Sequence, residues 1–249
     1  DAPVASAVNG SGSEDGIIST TLTATDVDDI DPTDFFSIIT QPTNSAGGTD
    51  VVIGTVSYAS GTFTAVATYT HDDSETTTSD SFTYKANDGT SDSNTATATI
   101  VITAVNDAPV AVAVDSSGNE GGIISATLIA MDVDDSEPTG FTFSIISQPI
   151  NKIDSVSIGD VSYNSGTFTA VATYIHDGSE TTSDSFTYKA NDGTDDSNTT
   201  TTSFSIAAIN DAPAATAVNG SGNEGETIST TLIATDMDDT DGSTFTFSI

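Results

Sequence analysis

The sequence predicts an all-β chain of tandem antiparallel sandwiches, and three observations carry that prediction. The string Asp1-Ala2-Pro3-Val4 returns as Asp107-Ala108-Pro109-Val110 and again as Asp211-Ala212-Pro213-Ala214, at spacings of 106 and 104 residues. A fixed period of that length marks a repeat array whose unit is large enough to bury its own core. Within each unit apolar residues alternate with Thr and Ser: Ala96, Ala98, Ile100 and Ile102 face one way, and Thr95, Thr97, Thr99 and Thr103 the other. Period two with β-branched residues on the wet face is the pattern of a half-buried antiparallel strand. No segment carries a helical period. The alternating runs are instead separated by Gly, Asn, Asp and Ser clusters such as Asn9 to Gly16, Asn44 to Gly48 and Asn87 to Gly89, which are turn chemistries.

Taken in order, the first unit is expected to form strands near 3–8, 17–25, 34–40, 50–57, 62–70, 80–86 and 95–104. The inward positions are clearest in Ile18-Thr20-Leu22-Ala24, Phe63-Ala65-Ala67-Tyr69 and Phe82-Tyr84-Ala86. The second unit repeats them with Phe168-Ala170-Ala172-Tyr174 and Phe186-Tyr188-Ala190, and Ser57 to Asn94 matches Ser162 to Asn198 with four substitutions and one deleted Thr. Seven short alternating strands in about 105 residues predict an immunoglobulin-like Greek-key sandwich, here without a Cys pair or Trp. The expected domains are 1–106, 107–210 and 211–249, the last holding the first three strands of a third repeat, either truncated or completed by another chain. The junctions Thr103 to Pro109 and Ile209 to Pro213 are short and apolar, unlike flexible linkers, so the sandwiches are expected to stack end to end.

The 37 acidic residues outweigh three lysines, Lys85, Lys152 and Lys189, to give a net charge of −34. Such a surface repels nucleic acid and anionic lipid and is suited to collecting cations. With no cysteine, neither disulfides nor thiolate metal sites contribute. No run approaches the ~18–20 apolar residues of a membrane span.

The acidic residues recur in fixed order. A Glu precedes the second strand of each repeat (Glu14, Glu120, Glu224). After that strand come Asp26-Val27-Asp28-Asp29, Asp132-Val133-Asp134-Asp135 and Asp236-Met237-Asp238-Asp239. Asn87-Asp88-Gly89 and Asn191-Asp192-Gly193 follow, and Asn106-Asp107 and Asn210-Asp211 stand at the junctions. Carboxylate and amide oxygens gathered at loop ends suit a hard cation such as Ca²⁺, which takes 6–8 oxygens. The same residue types also build turns and Asx caps without any ion, and an acidic surface is also a solubility or salt adaptation. The sequence leaves both readings open.

The combination of Ala24 to Asp28, Ala86 to Gly89 and Val105-Asn106-Asp107-Ala108-Pro109 resembles cadherin repeats. It is closest to the bacterial cadherin-like, VCBS-type tandem repeats of large extracellular surface adhesins. The resemblance implies calcium between consecutive domains. It would assign Glu14, Asn106, Asp107, Asp132, Asp134 and Asp192 to one junction and Glu120, Asn210, Asp211, Asp236 and Asp238 to the next. Asp1, Asp26, Asp28 and Asp88 would then serve a junction with a preceding repeat. The acidic-Arg-Glu triplet of vertebrate cadherins is absent, and His71-Asp72 and His176-Asp177 stand near its place.

An enzyme is not expected. The histidines read as a duplicated loop residue, and no nucleophile elbow, phosphate loop or His-Glu-x-x-His motif is present. Lys85 and Lys189 fall on outward positions, which argues against a buried isopeptide crosslink. Surface glycans are permitted by the sequons at Asn9, Asn198 and Asn219 and by Thr runs such as Thr76-Thr77-Thr78. The expected function is a calcium-stiffened stalk or filament of a bacterial surface or matrix protein, extracellular, its partners the neighbouring repeats. The alternative is an adhesion module that binds glycan or protein through sandwich loops.

Overall fold

A computed structural model describes residues 1–14, 16–28, 30–31, 33, 35–46, 51–72, 78–239 and 245–248. The turn at Gly47 and Gly48, the strand starts at Asp34 and Asp50, Asp29 of the first acidic cluster, and Thr76 and Thr77 lie outside these residues. The chain forms two compact units, Asp1–Asn106 and Asp107–Ile249. Every regular element among the described residues is a strand.

The first unit contains β1 (Val4–Ala5), β2 (Val8–Ser13), β3 (Ile17–Thr25), β4 (Phe36–Thr40), β5 (Val52–Ile53), β6 (Ser57–Ala59), β7 (Thr62–Thr70), β8 (Ser79–Ala86) and β9 (Ala96–Thr103). Its centre is the long antiparallel pair β3–β7, in register from Ile17↔Thr70 to Thr25↔Thr62, with β1, β5 and β6 added at its borders. The other layer runs β4-β8-β9-β2. Strict alternation places Ile18, Leu22, Ala24, Phe63, Phe82, Tyr84 and Ile100 between the layers, each at most 1% exposed. Each large side chain removed from water in this way contributes about 1.5–3 kcal/mol. Phe35 stacks on Phe63 with ring centroids 3.8 Å apart.

The second unit repeats this plan. One sheet is β10-β12-β16-β14, from Val110–Val112, Ile123–Met131, Thr167–Ile175 and Ser157–Ile158, with β15 (Ser162–Asn164) paired to β16. The facing sheet is β11-β18-β17-β13, from Val114–Asn119, Thr200–Ala207, Ser183–Asn191 and Thr142–Ser147. Phe141 and Phe168 repeat the aromatic stack at 3.8 Å. Beyond the sandwich, β19 (Ala214–Thr216) and β20 (Ile233–Thr235) form an antiparallel ribbon. Residues 218–223, equivalent to β11, carry no strand. The β11 strand exists through parallel pairing with β18, and among the described residues 218–223 has no such partner.

Two departures from the sequence reading have physical causes. Part of the Gly-rich stretch Asn9 to Gly16, read as turn, is strand β2, parallel to β9 from Val8↔Ala98 to Ser13↔Thr103. Its glycines permit close approach to the core rather than a reversal: a Cβ on Gly12 would lie 2.7 Å from Ile18 Cγ1, and one on Gly118 2.5 Å from Ile124 Cγ1. The single strand expected near 3–8 is also divided, because the chain passes from antiparallel pairing with β3 at β1 to parallel pairing with β9 at β2. Asn94 and Tyr84 hold that crossing. The Asn94 amide donates to Ala5 O at 2.9 Å and its Oδ1 accepts from Ala5 N at 3.1 Å. The Tyr84 hydroxyl donates to Ser6 O and accepts from Thr23 N at 3.3 Å. Asn198 does the same for Ala111 at 3.0 and 2.9 Å, so the sequon at Asn198 has its amide committed to the fold.

Asp184 fastens the loop after β13 in the same manner. Its carboxylate accepts from Ile150 N at 3.1 Å, Asn151 N at 2.8 Å and Ser185 N at 2.8 Å, and from the Tyr174 hydroxyl at 2.9 Å. Partial burial raises its pKa, but these donors outweigh it and hold the carboxyl below its ordinary value. A depressed carboxylate pKa adds stability that is present above the unfolded value and lost as pH falls through the folded one. Asp184→Asn is therefore expected to destabilise the second sandwich by about 1–3 kcal/mol at pH 7. In chemical denaturation the gap between variant and parent should close below about pH 4, where the parent carboxylate titrates.

Candidate metal centre

Loop ends of the second unit gather acidic residues that lie as far apart in sequence as Glu120 and Asp238. Glu120 follows β11, and its backbone N–H donates to Ala207 O at 3.0 Å. Its carboxylate turns inward, only 8% of the residue being exposed. Oε1 accepts from Ile209 N at 2.6 Å, which fixes the chain entering Asn210-Asp211. Oε2 is buried and has no hydrogen-bond partner. A carboxylate oxygen left in that state is costly unless a cation or proton joins it.

One carboxylate oxygen from each of Glu120, Glu180 and Asp211 lies within 4.8 Å of the others. Glu180 stands on the loop between β16 and β17 and was not singled out by sequence. Its carboxyl is pushed above the ordinary range, first by burial and then by the negative charges of Glu120, Asp238, Asp211 and Asp236. The signal available in the sequence was its duplication: Glu75 is the equivalent residue of the first repeat and lies outside the described residues. Asp236 Oδ1 accepts from Asp238 N at 2.9 Å and Asp239 N at 3.1 Å. Asp238 accepts from Asp211 N, and the Asn210 amide donates to Asp211 O at 2.8 Å. All five residues expected at this junction, Glu120, Asn210, Asp211, Asp236 and Asp238, thus belong to one neighbourhood, and Glu180 joins it.

The same loop construction recurs at the start of each unit. In the second unit Asp107 N donates to Asp134 Oδ2 at 2.6 Å, and Asp132 Oδ1 accepts from Asp134 N and Asp135 N, both at 3.0 Å. Asp132 Oδ2 is buried without a hydrogen-bond partner. Asp192 Oδ1 accepts from Thr194 N at 2.6 Å and Asp195 N at 2.7 Å. Burial, followed by Asp132, Asp192 and Asp134, raises the pKa of Asp135, which places Asp192 in this acidic group. In the first unit Asp1 N donates to the Asp28 carboxylate at 2.6 and 2.8 Å, as Asp107 N does to Asp134, and Asp26 Oδ1 accepts from Asp28 N at 3.0 Å. Asp88 Oδ1 accepts from Thr90 N and Ser91 N at 2.6 Å, and Asp1, Asp28 and Asp88 line one shallow pocket. At the other end of the first unit Glu14, 1% exposed, accepts from Val105 N, as Glu120 does from Ile209. Asn106 directly follows that tied segment.

The donor set fits a hard divalent cation. Every side-chain ligand in the second-unit cluster is an oxygen, the group carries like charge at close range, and one oxygen is buried and unsatisfied. Nitrogen and sulfur donors, which favour zinc and copper, are absent from it.

Among solved structures, this chain is similar to the human desmocollin-1 ectodomain at 13% identity and a TM-score of 0.52, covering 86% of this chain and 42% of that one. The extracellular cadherin domains 1–4 of protocadherin gamma B7 match at 16% identity and 0.52, over 94% and 60% of the two chains. The EC21-23 segment of human CDH23 matches at 18% and 0.52, over 95% and 80%. This chain therefore spans less than half of the desmocollin-1 ectodomain, and at these identities the likeness concerns the fold. No curated protein sequence matches the chain. Among the described residues no helix is long and apolar enough to cross a membrane. The family described as bacterial Ig domain matches twice, over residues 1–101 and 106–205, and with its cadherin-like tandem sandwiches the chain belongs to that family.

Proposed function

We propose that this chain is a segment of an extracellular structural and adhesive array, in which divalent cations, foremost Ca²⁺, stiffen the junctions between successive repeats. The observation that carries this reading is the buried, unpartnered Glu120 Oε2 in a group with Glu180 and Asp211. Glu120 and Glu180 belong to the second sandwich, whereas Asp211, Asp236 and Asp238 belong to the segment that follows it. A cation held by Glu120, Glu180 and Asp211, with Asp236, Asp238 and Asn210 beside them, would neutralise their mutual repulsion and cross-link the two segments. The loops do the rest: Glu120 is aimed by its bond from Ile209, and the Asp pairs are shaped by their own backbone N–H groups. By sequence equivalence Glu14, Asn106, Asp107, Asp132, Asp134 and Asp192 would serve the preceding junction.

Near-identical repeats favour length and mechanics over a single recognition site. Neighbouring repeats of the same array are then the primary partners, and the location is the cell surface or matrix. Solution scattering tests the mechanical part. With Ca²⁺ the parent chain is expected to become longer and less flexible than in a chelator, while Asp132→Ala/Asp134→Ala loses part of that response with both sandwiches still folded. Identical scattering profiles for the parent chain in Ca²⁺ and in chelator would rule out stiffening.

A further inference from the structure

We propose that the buried His176 imidazole is the positioning residue of this centre, fastening the loop that presents Glu120 to the loop that presents Glu180. This rests on the reading that the cluster takes up Ca²⁺. His176 directly follows β16, is wholly buried, and reaches both loops. Its Nδ1 accepts two backbone donors, Gly121 N at 3.2 Å and Gly178 N at 3.1 Å. The His176 backbone N–H donates to Gly122 O at 3.0 Å. Its Nε2 lies 3.0 Å from Thr181 Oγ1, which also accepts from the Asn151 amide at 2.9 Å. Gly121 directly follows Glu120, and Thr181 directly follows Glu180. The imidazole therefore grips the residue next to each carboxylate.

The two loops meet at glycines. Gly121 and Gly178 both have positive φ, +61° and +82°, and a Cβ on Gly121 would sit 3.9 Å from Gly178 Cα. An imidazole that accepts two N–H groups at Nδ1 carries its proton on Nε2, which fixes the donor toward Thr181. A ring is needed here because one atom must serve two backbones while the opposite edge reaches a third residue.

The physical role follows from charge. Glu120 and Glu180 repel each other, and without a fastening the loops would relax apart and have to be drawn together on each binding event. Holding them in place beforehand removes that ordering cost from the affinity. In the first repeat His71 is likewise buried, and its backbone N–H donates to Gly16 O at 3.4 Å.

Side-chain geometry supplies the test. Asn places its Oδ1 where Nδ1 stands and can accept the Gly121 and Gly178 donors. Gln reaches only the Nε2 side, and Phe fills the volume without accepting. Isothermal titration of Ca²⁺ into the full chain is expected to show a Kd raised tenfold or more in His176→Phe and His176→Gln, and restored to within about threefold of the parent in His176→Asn. Unfolding in chelator, recorded for each variant, separates lost stability from lost affinity, and if His176→Phe does not fold the Gln and Asn pair decides. Parent-like affinity in folded His176→Phe or His176→Gln overturns the positioning role alone, as does His176→Asn binding as weakly as His176→Gln. Absence of Ca²⁺ binding by the parent chain overturns the cation reading itself, and the positioning role with it.

Discussion

Truncation of Phe168 to Ala is expected to destabilise the second sandwich by about 3–5 kcal/mol, the largest single effect in the molecule. Phe168 is fully buried, stacks on Phe141 at 3.8 Å, and meets Tyr163 at 4.9 Å. It also lies opposite Ala130 on the neighbouring strand. The small residues beside it, Ala130 across the pair and Ala170 on the same strand face, have no side-chain length to fill the space, so most of the cavity persists. Each unit has its own core, so denaturant unfolding should become biphasic, with the second unit melting first. A single transition with an unchanged midpoint would show that the stack carries no such weight.

The second large effect concerns Glu120 and has opposite signs in two conditions. Glu120→Gln keeps an oxygen for Ile209 N but removes a negative charge buried beside Glu180 and Asp211. In chelator the variant is expected to be as stable as the parent or more so, by up to about 1–3 kcal/mol, because an unsatisfied buried charge is gone. With Ca²⁺ it should lose most of the parent's cation-induced rise in Tm. A variant destabilised equally in both conditions would make Glu120 a structural residue only.

The sandwich was legible because its information is local and periodic. Alternation in Phe63-Ala65-Ala67-Tyr69 and in Ala96 to Ile102 names the buried face without reference to any partner, and a duplicated sequence states the pattern twice. β2 was not legible, because its residues, Val8 to Ser13, are the composition of a turn. What makes them a strand is the close approach of Gly10 and Gly12 to Ile100 and Ile18, which is tertiary information. The candidate centre shows the same division. Residues in recurring motifs, Glu120, Asn210, Asp211, Asp236 and Asp238, were identifiable by position. Glu180 was not, because it sits in a Ser/Thr-rich loop that reads as solvated. His176 was read as a duplicated loop residue, and its role depends on two loops meeting in space.

Thermal unfolding of the parent chain in millimolar Ca²⁺, and again in chelator at matched ionic strength with Na⁺, reads out whether the acidic loops hold a cation in the folded state. A cation that binds only the folded state at 100 times its Kd adds about 2.7 kcal/mol, a shift of several degrees for a domain of this size. That rise, specific to the divalent ion, is the expected result. Coincident unfolding curves would contradict it and leave the acidic loops as solvated turns.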